Sequence, residues 1–318
     1  MTWGISGLAF TLVALLLVGP VPALLARATW PMRAPRAAVV LWQSVALAAV
    51  LSAFSAGIAI ASRLLVPGAD GRPTATITSE IAMLGWPLWL AYVAVFAVTL
   101  LIGGRLVVAV LQVAIATRRR RAQHRMLVDL LATTGDGVSA YPRPSGLRIL
   151  DVSEPLAYCL PGVRSRVVVS EGTLKTLQRN EIAAILRHEQ AHLRARHDLV
   201  LEMFTAVHAA FPRFVRSANA LHAVRLLVEL LADDAAVRAA GPTPLARALV
   251  ACASGPTPSG ALAAGGQSTV LRIRRLGGRG NSLLLACGAY LAAAAVLMVP
   301  TIALAVPWLT ELRRLFAI

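Results

Sequence analysis

The chain has 318 residues, and 57% of them are hydrophobic, which gives a mean hydropathy of +0.69. This composition excludes an ordinary soluble domain. The formal charge is +16, but the basic residues cluster beside apolar stretches, a pattern typical of membrane topology signals and not of a nucleic-acid surface. Cys159, Cys252 and Cys287 form no CxxC pair, so neither a disulfide framework nor a thiolate zinc site is indicated.

Four uncharged or nearly uncharged apolar runs are each long enough to cross a bilayer as a helix. In chain order they cover residues 3–26, 37–62, 81–116 and 282–310. Pro20 and Pro22 are expected to kink the end of the first run. This run lacks the basic segment that precedes the apolar core of a cleaved signal peptide, so we interpret it as a retained membrane span.

The positions of the basic residues predict the orientation of these spans. Arg27, Arg33 and Arg36 follow the first span, and the run Arg118–Arg121 follows the third. Because Lys and Arg accumulate on the cytoplasmic side, the amino terminus is predicted to lie outside. Residues 63–80 then form a short external loop, residues 117–281 lie in the cytoplasm, and residues 311–318 form a short external tail.

The block 117–281 is long enough for one globular domain, and its patterns predict an α+β fold with a small sheet. Short strands are expected at 147–152, 156–160 and 166–169. Helices are expected at 125–132, 170–177, 180–197, 198–210 and 216–240, and a Gly- and Pro-rich loop at 254–268. The chain as a whole is therefore predicted to be mostly α-helical.

The segment beginning at Asn180 contains a H-E-x-x-H motif formed by His188, Glu189 and His192. Residues four apart lie on one face of a helix, so the two imidazoles can bind one metal ion. The glutamate beside the first histidine can then act as the general base on a water molecule. Ile182, Ile185, Leu186 and Leu193 supply an apolar face for this helix, and Asn180 is a candidate for its N-cap.

A catalytic zinc site of this type needs a third protein ligand. Glu229 is the preferred candidate, because an acid in the apolar segment VELLADDAAV is costly unless it is paired or bound to metal. Asp233, one turn later, can accept the second N–H of a ligating imidazole. Asp198 is the alternative third ligand; it stands where a related motif has its last ligand, although Ala195 replaces the glycine of that turn.

Three further polar residues lie near these motifs in the sequence, and none of them is a preferred metal ligand. His222 shares a helix face with Glu229 and can contact an oxyanion or the substrate, although a core or surface role is preferred. His197 is interpreted as an exposed residue at a helix end. Asp234 points away from its neighbour Asp233 on the same helix and is interpreted as a solvated acid.

The paired motifs His188-Glu189-x-x-His192 and Glu229-x-x-x-Asp233, placed between a third and a fourth span, resemble the BlaR/MecR-type antirepressor metallopeptidases of the gluzincin group. The segment 154–172, EPLAYCLPGVRSRVVVSEG, is similar to the strand region before the zinc helix in that family. His208 with Pro212 is similar to its apolar segment between the ligand helices.

This resemblance implies a zincin-like domain with Zn²⁺ held by His188, His192 and Glu229, and with Glu189 as the catalytic residue. It also implies a winged-helix transcriptional repressor as the protein substrate. Drug-sensing members carry a penicillin-binding domain after the fourth span; residues 311–318 contain no such module, so we expect the sensor domain to be lacking.

The sequence thus predicts a multi-pass membrane zinc endopeptidase that contacts lipid and a protein substrate and has no direct nucleic-acid partner. Two alternatives remain open. One is a housekeeping peptidase of membrane proteins, and the other is a non-catalytic membrane scaffold with a structural metal site. The presence of Glu189 favours catalysis, because a structural site does not need a base.

Overall fold

The uncharged apolar runs form long helices, because only a helix satisfies its backbone hydrogen bonds inside a bilayer. A computed structural model describes residues 2–61, 77–134, 146–211, 218–253, 268–278 and 280–315. In the amino-terminal part the helices are α1 (Thr2–Val18), α2 (Pro20–Arg27), a 3₁₀ helix (Trp30–Arg33), α3 (Pro35–Ala61), α4 (Ile77–Leu84) and α5 (Trp86–Leu131). Four helical segments are long and apolar enough to span, including Leu283–Ala303 near the carboxyl end.

Two breaks between consecutive helices each contain a glycine and are followed by a helix with a proline in its first turn. Gly19 separates α1 from α2, and Pro20 occupies the first turn of α2, so the predicted kink at the end of the first span is confirmed. Gly85 has a φ of +76°, a conformation that favours glycine, and it separates α4 from α5. Residues 77–80, which were expected to belong to a loop, therefore begin α4, whereas 62–76 lie outside the described residues.

The third span does not end at residue 116. Helix α5 is 46 residues long and continues through the arginine run into the segment that was predicted as a separate helix at 125–132. At 1.5 Å per residue it is about 69 Å long, more than twice the roughly 30 Å of a hydrocarbon core. Its final turns contact the sheet, where Val128 is buried against Tyr158 and Val168. One rigid helix therefore joins the membrane part to the sheet.

The small sheet has the strand order β1-β2-β4-β3 among the described residues. Its strands are β1 (Thr133–Thr134), β2 (Leu147–Leu150), β3 (Ala157–Leu160) and β4 (Arg166–Ser170). Strands β2 and β4 pair in parallel, whereas β1–β2 and β3–β4 are antiparallel. The three expected strands are confirmed within a few residues; the two-residue strand β1 is too short to produce a sequence pattern.

The remaining helices surround the site. They are α6 (Glu171–Thr176), α7 (Arg179–Arg194), α8 (His197–Ala210), α9 (Ala218–Ala240), α10 (Pro242–Cys252), α11 (Ser268–Leu276) and α12 (Leu283–Leu315). Helices α10 and α11 were not predicted, and most of the expected loop at 254–268 lies outside the described residues. The mostly helical architecture with four candidate spans and a small sheet is confirmed.

Helix α7 packs between the sheet and α9. Its predicted apolar face is confirmed, because Ile182, Ile185 and Leu186 are buried with Val167 and Val169 of β4. Ala184 faces the opposite way, towards Ala236 of α9 and Leu245 and Leu249 of α10. Truncating a buried isoleucine such as Ile185 to alanine typically costs about 2–5 kcal/mol. The packing therefore fixes α7 rigidly, with its histidines turned towards α9.

Two arginines tie α8 to α5. Arg105 donates from Nε to the carbonyl oxygen of Ala210 at 2.5 Å. Arg121 lies 3.1 Å from Asp198 and 2.7 Å from Glu202, and its side chain is only 12% exposed. Arg121, the last residue of the arginine run, therefore forms largely buried ion pairs and does not face solvent or lipid.

Candidate metal centre

The H-E-x-x-H motif lies in the carboxyl-terminal half of α7, and its three motif side chains are on the buried face of the helix. The helix begins at Arg179 with Gln178 as its N-cap, two residues before the predicted N-cap Asn180. Glu181 explains this start, because its carboxylate accepts a hydrogen bond from the Gln178 backbone N–H at 2.9 Å. His188 and Glu189 have no solvent exposure, and His192 is 2% exposed.

Glu229 of α9 completes a three-residue cluster with the two histidines. The Nε2 atoms of His188 and His192 lie 3.2 Å apart. The Glu229 carboxylate places Oε2 at 3.4 Å from His188 Nε2 and Oε1 at 3.5 Å from His192 Nε2. A tetrahedral zinc ion with bonds of 2.0–2.1 Å requires ligand atoms about 3.3–3.4 Å apart, so the His₂Glu set fits zinc in both chemistry and spacing.

Asp233 lies beside the cluster, one turn beyond Glu229. Its Oδ1 is 3.0 Å from Nδ1 of His188, and the side chain is 1% exposed. A proton on Nδ1 directs the unprotonated Nε2 of the same ring towards a metal ion. The arrangement therefore places Asp233 where the sequence predicted an orienting acid.

His197 is not the exposed helix-end residue that the sequence indicated. It is 5% exposed, and its Nδ1 lies 3.1 Å from Nδ1 of His192. The chain reaches this position because Arg196 adopts a left-handed conformation, φ +52°, between α7 and α8. One of the two Nδ1 atoms must carry the proton for this contact to be a hydrogen bond. His197 is thus the counterpart of Asp233 for the second histidine.

Glu189 occupies a dry position next to the cluster. Neither of its carboxylate oxygens has a hydrogen-bond partner among the described residues, and both are buried. The thiol of Cys159, a buried residue of β3, lies against it. Burial raises the pKa of Glu189 to about 7 in the metal-free protein; His188 and Arg272 lower it by smaller amounts, and Glu229 raises it. A buried carboxylate with such a pKa and no charged hydrogen-bond partner among the described residues is suited to proton transfer.

The other site groups have pKa values that reflect competition between burial and neighbouring charge. Burial raises the pKa of Glu229, but His192, His188 and Arg272 together lower this pKa by a larger amount, to about 2. Burial lowers the pKa of His188, but Asp233 and Glu229 raise it, to about 9. Burial dominates for His192, whose pKa is lowered to about 3. In the metal-free protein the site therefore holds charges of both signs.

Arg272 of α11 is one of the basic residues that precede the fourth span, but the sequence did not identify it as a residue of the site. Its side chain has no exposure and ion-pairs with Asp233 and Glu229. Asp234 is not simply solvated either, since it accepts hydrogen bonds from Arg275 at 2.6 Å and from Asn281 at 3.0 Å. The buried acids on α9 are the sequence signal for such bases, because buried carboxylates need partners.

The alternative third ligand does not join the cluster. Asp198 is buried, but it faces Arg121, and the metal-type grouping in the described residues consists of His188, His192 and Glu229. His222 is exposed on α9, two helical turns and so about 10 Å along the axis from Glu229. Its role as an oxyanion or substrate contact remains a prediction.

His208 lies away from the metal cluster. It lines an apolar cavity of about 830 Å³ among the first three spans, α8 and α9. Phe204, Val207 and Phe211 line the same cavity. The His-and-Pro segment that the sequence singled out is therefore part of the contact between α8 and the membrane helices, although Pro212 is outside the described residues.

Four candidate spans and a buried His₂Glu cluster with an adjacent glutamate define a multi-pass membrane protein with a site of the metallopeptidase type. The family model described as BlaR1 peptidase M56 matches residues 10–214. The chain belongs to this peptidase family, which confirms the resemblance predicted from its motifs. The match includes His188, Glu189 and His192 but ends before Glu229, so the assignment of Glu229 rests on geometry. Neither the curated proteins nor the solved structures provide a match.

Proposed function

We propose that the protein is a membrane zinc endopeptidase with a zincin-like catalytic domain. The observation that carries this proposal is the spacing of the ligand groups beside the buried Glu189. The two histidine Nε2 atoms lie 3.2 Å apart, and each lies 3.4–3.5 Å from one oxygen of the Glu229 carboxylate. Membership of a peptidase family supports it. A purely structural site does not explain why an unpaired carboxylate is buried next to the cluster.

The residues divide into those that hold the metal and those that act on the substrate. His188, His192 and Glu229 are the proposed ligands, and Asp233 and His197 orient the two imidazoles. Zinc held in this way supplies Lewis-acid activation of water for attack on a peptide carbonyl. Glu189 accepts the proton of the attacking water and then donates it to the leaving amine; such acid–base catalysis contributes about 10²–10⁴-fold.

The family resemblance also supports a substrate class. Its members of the antirepressor type act on winged-helix transcriptional repressors, and we propose such a cytoplasmic protein as the substrate. This requires the domain that follows the third span to face the cytoplasm, as the Arg118–Arg121 run indicates. Housekeeping cleavage of membrane proteins is the second candidate, favoured only by the short distance between the site and the spans.

Access to the site involves the sheet. Strand β3 is the last strand in the sheet order, next to α7, where an extended peptide can add in many peptide-binding proteins. All four of its residues are nevertheless buried, with exposures of 6% or less. Strand addition near Leu156–Leu160 therefore requires the residues covering this edge to move before a substrate can pair with it.

The test of the proposed function is peptide-bond cleavage by the full chain in lipid or detergent, loaded with zinc. The substrates are a winged-helix repressor and an unrelated integral membrane protein, and cleavage is followed by mass spectrometry of the products. We expect wild type to cleave the repressor and Glu189→Gln to retain zinc but lose at least about 10²-fold in rate. Glu171→Gln, on α6 with a side chain that is 42% exposed, is the matched control.

The outcomes separate the candidate functions. Cleavage of the membrane protein alone supports the housekeeping role. Undiminished cleavage by Glu189→Gln contradicts the proton-transfer role of that residue. Zinc binding by wild type without cleavage of either substrate supports a scaffold with a structural metal site.

A further inference from the structure

The buried charge of Arg272 is the feature of the site that the proposed catalytic roles leave unexplained. The side chain is fully buried, and it enters the metal centre from α11, outside the H-E-x-x-H helix and outside α9. A buried guanidinium that lacks partners is strongly destabilising, so its position must be fixed by the groups around it. Its contacts show which groups these are.

Arg272 binds two acids of α9 at once, Asp233 and Glu229. Its Nη2 and Nε atoms donate to Asp233 Oδ1 and Oδ2 at 2.6 and 2.8 Å, which is a bidentate pair. Its Nη1 atom lies 3.0 Å from Glu229 Oε2. A bidentate guanidinium–carboxylate pair fixes the plane as well as the distance of the carboxylate. Since Glu229 and Asp233 are one helical turn apart, one rigid side chain restricts both of them.

The same guanidinium reaches the histidine that Asp233 contacts. Nη2 of Arg272 lies 3.5 Å from Nε2 of His188, on the ligand-atom side of the ring. On the other side of the ring, Asp233 Oδ1 lies 3.0 Å from Nδ1. Arg272, Asp233 and His188 therefore form a closed set of contacts, and displacement of the arginine affects two of the three proposed ligands.

Helix α11 is itself held in place by a second arginine. Arg275, three residues after Arg272, donates to both carboxylate oxygens of Asp234 at 2.6 and 3.1 Å. It also donates to the carbonyl oxygen of Met32, at the connection between the first two spans, at 2.7 Å. Two arginines three residues apart thus bind two consecutive acids of α9, and Arg272 is presented from an anchored helix.

We propose that Arg272 is a positioning residue that holds Glu229 and Asp233 in the metal-binding geometry before the ion binds. This inference rests on the proposed zinc site. Two electrostatic effects oppose each other here. A cation next to a metal site repels the ion, which weakens binding, whereas a fixed carboxylate pair lowers the cost of assembling the site, which strengthens it.

The charges and contacts of the loaded site show what Arg272 compensates. Ionised Glu189, Glu229 and Asp233 contribute three negative charges, and a zinc ion with Arg272 contributes three positive charges, so the loaded site is neutral. Without Arg272 the site carries a net negative charge in a region from which water is excluded, and Asp233 loses its two shortest contacts. Uncompensated buried charge is costly and reorients side chains.

The experiment measures zinc binding by the full chain in detergent, by competition with a chelator of known affinity. We expect Arg272→Gln to weaken zinc binding about 10–100-fold, as changes to groups that orient ligands do. Arg272→Lys should recover part of the loss, because lysine restores the charge but not the bidentate contact. Arg274→Gln, exposed on the same helix, should bind zinc as wild type does.

A second readout is the melting temperature of the zinc-free protein, which should fall in Arg272→Gln and less in Arg272→Lys. Zinc binding by Arg272→Gln that is equal to or tighter than that of wild type overturns the proposal, because repulsion would then outweigh positioning. If Arg272→Gln does not fold, the same comparison is made with Arg272→Lys. Failure of the proposed function would appear in wild type itself, as absent zinc or absent cleavage, and not in this comparison.

Discussion

Nδ1 of His188 on α7 lies 3.0 Å from Oδ1 of Asp233 on α9, and this contact joins two residues that are 45 positions apart in the chain. It fixes the side of the imidazole that faces α9. The opposite nitrogen, Nε2, is thereby directed to His192 and Glu229, with which it forms the cluster. Asp233, one turn after the proposed ligand Glu229 on α9, thus orients the proposed ligand His188 on α7.

Asp233→Asn should weaken zinc binding by about 10–100-fold, because an amide is a poorer acceptor for His188 and a poorer partner for Arg272. The measurement is chelator competition on the purified full chain. Asp151→Asn, an exposed acid outside the site, is the control and should have no effect. Wild-type affinity in Asp233→Asn would show that packing alone orients His188.

His197→Ala should weaken zinc binding by about tenfold, because His192 loses the group that contacts its Nδ1 at 3.1 Å. His222→Ala, which removes an exposed histidine of α9, is the control for zinc affinity. The cleavage rate of the His222 variant separately tests the predicted substrate contact. Equal zinc affinities in both variants would leave His197 with a packing role only.

Zinc binding should strengthen as the pH rises. The pKa of His188 is about 9 in the metal-free protein, so at neutral pH this residue must release a proton before Nε2 can bind metal. His192 and Glu229, with pKa values of about 3 and 2, release none in this range. The zinc dissociation constant should therefore fall about tenfold per pH unit between pH 6 and 8.

The same shift affects the metal-free protein in the opposite direction. A raised folded-state pKa stabilises the fold below the unfolded value of 6.5, and this contribution is lost as the pH rises through about 9. Titrations of zinc affinity and of melting temperature against pH, each on the full chain, measure the two effects. A zinc affinity that is constant between pH 6 and 8 would contradict protonation of His188.

The predicted orientation in the membrane places the catalytic domain in the cytoplasm. We expect Val163→Cys, at a fully exposed position between β3 and β4, to be protected from a membrane-impermeant thiol reagent in intact cells. Ile77→Cys, which is 64% exposed at the start of α4, should be labelled. Both variants are made after replacement of the three native cysteines. The reverse labelling pattern would invert the topology.

The elements that depend on local sequence pattern were predictable. The four spans follow from the length of continuous apolar runs. The apolar face of α7 and the spacing of His188 and His192 follow from the period of one helix. Residues close in the chain determine all of these features. Glu229 could be nominated because a lone acid in an apolar helix needs a partner. Chain-local reasoning thus reached the ligands and the proposed base of the site.

The elements that depend on distant partners were not predictable. Arg272 resembled a membrane-topology signal, and only the packing of α11 against α9 reveals it as a buried partner of Asp233 and Glu229. His197 resembled an exposed residue at a helix end, but the left-handed backbone at Arg196 places its ring against His192.

The sequence by itself determined which groups can bind metal, because that is a property of residue type and helical period. The tertiary structure decided which groups orient the metal-binding side chains, because an orienting contact requires two distant segments of the chain to pack together. The free energy that holds these segments together comes from packing across the whole domain.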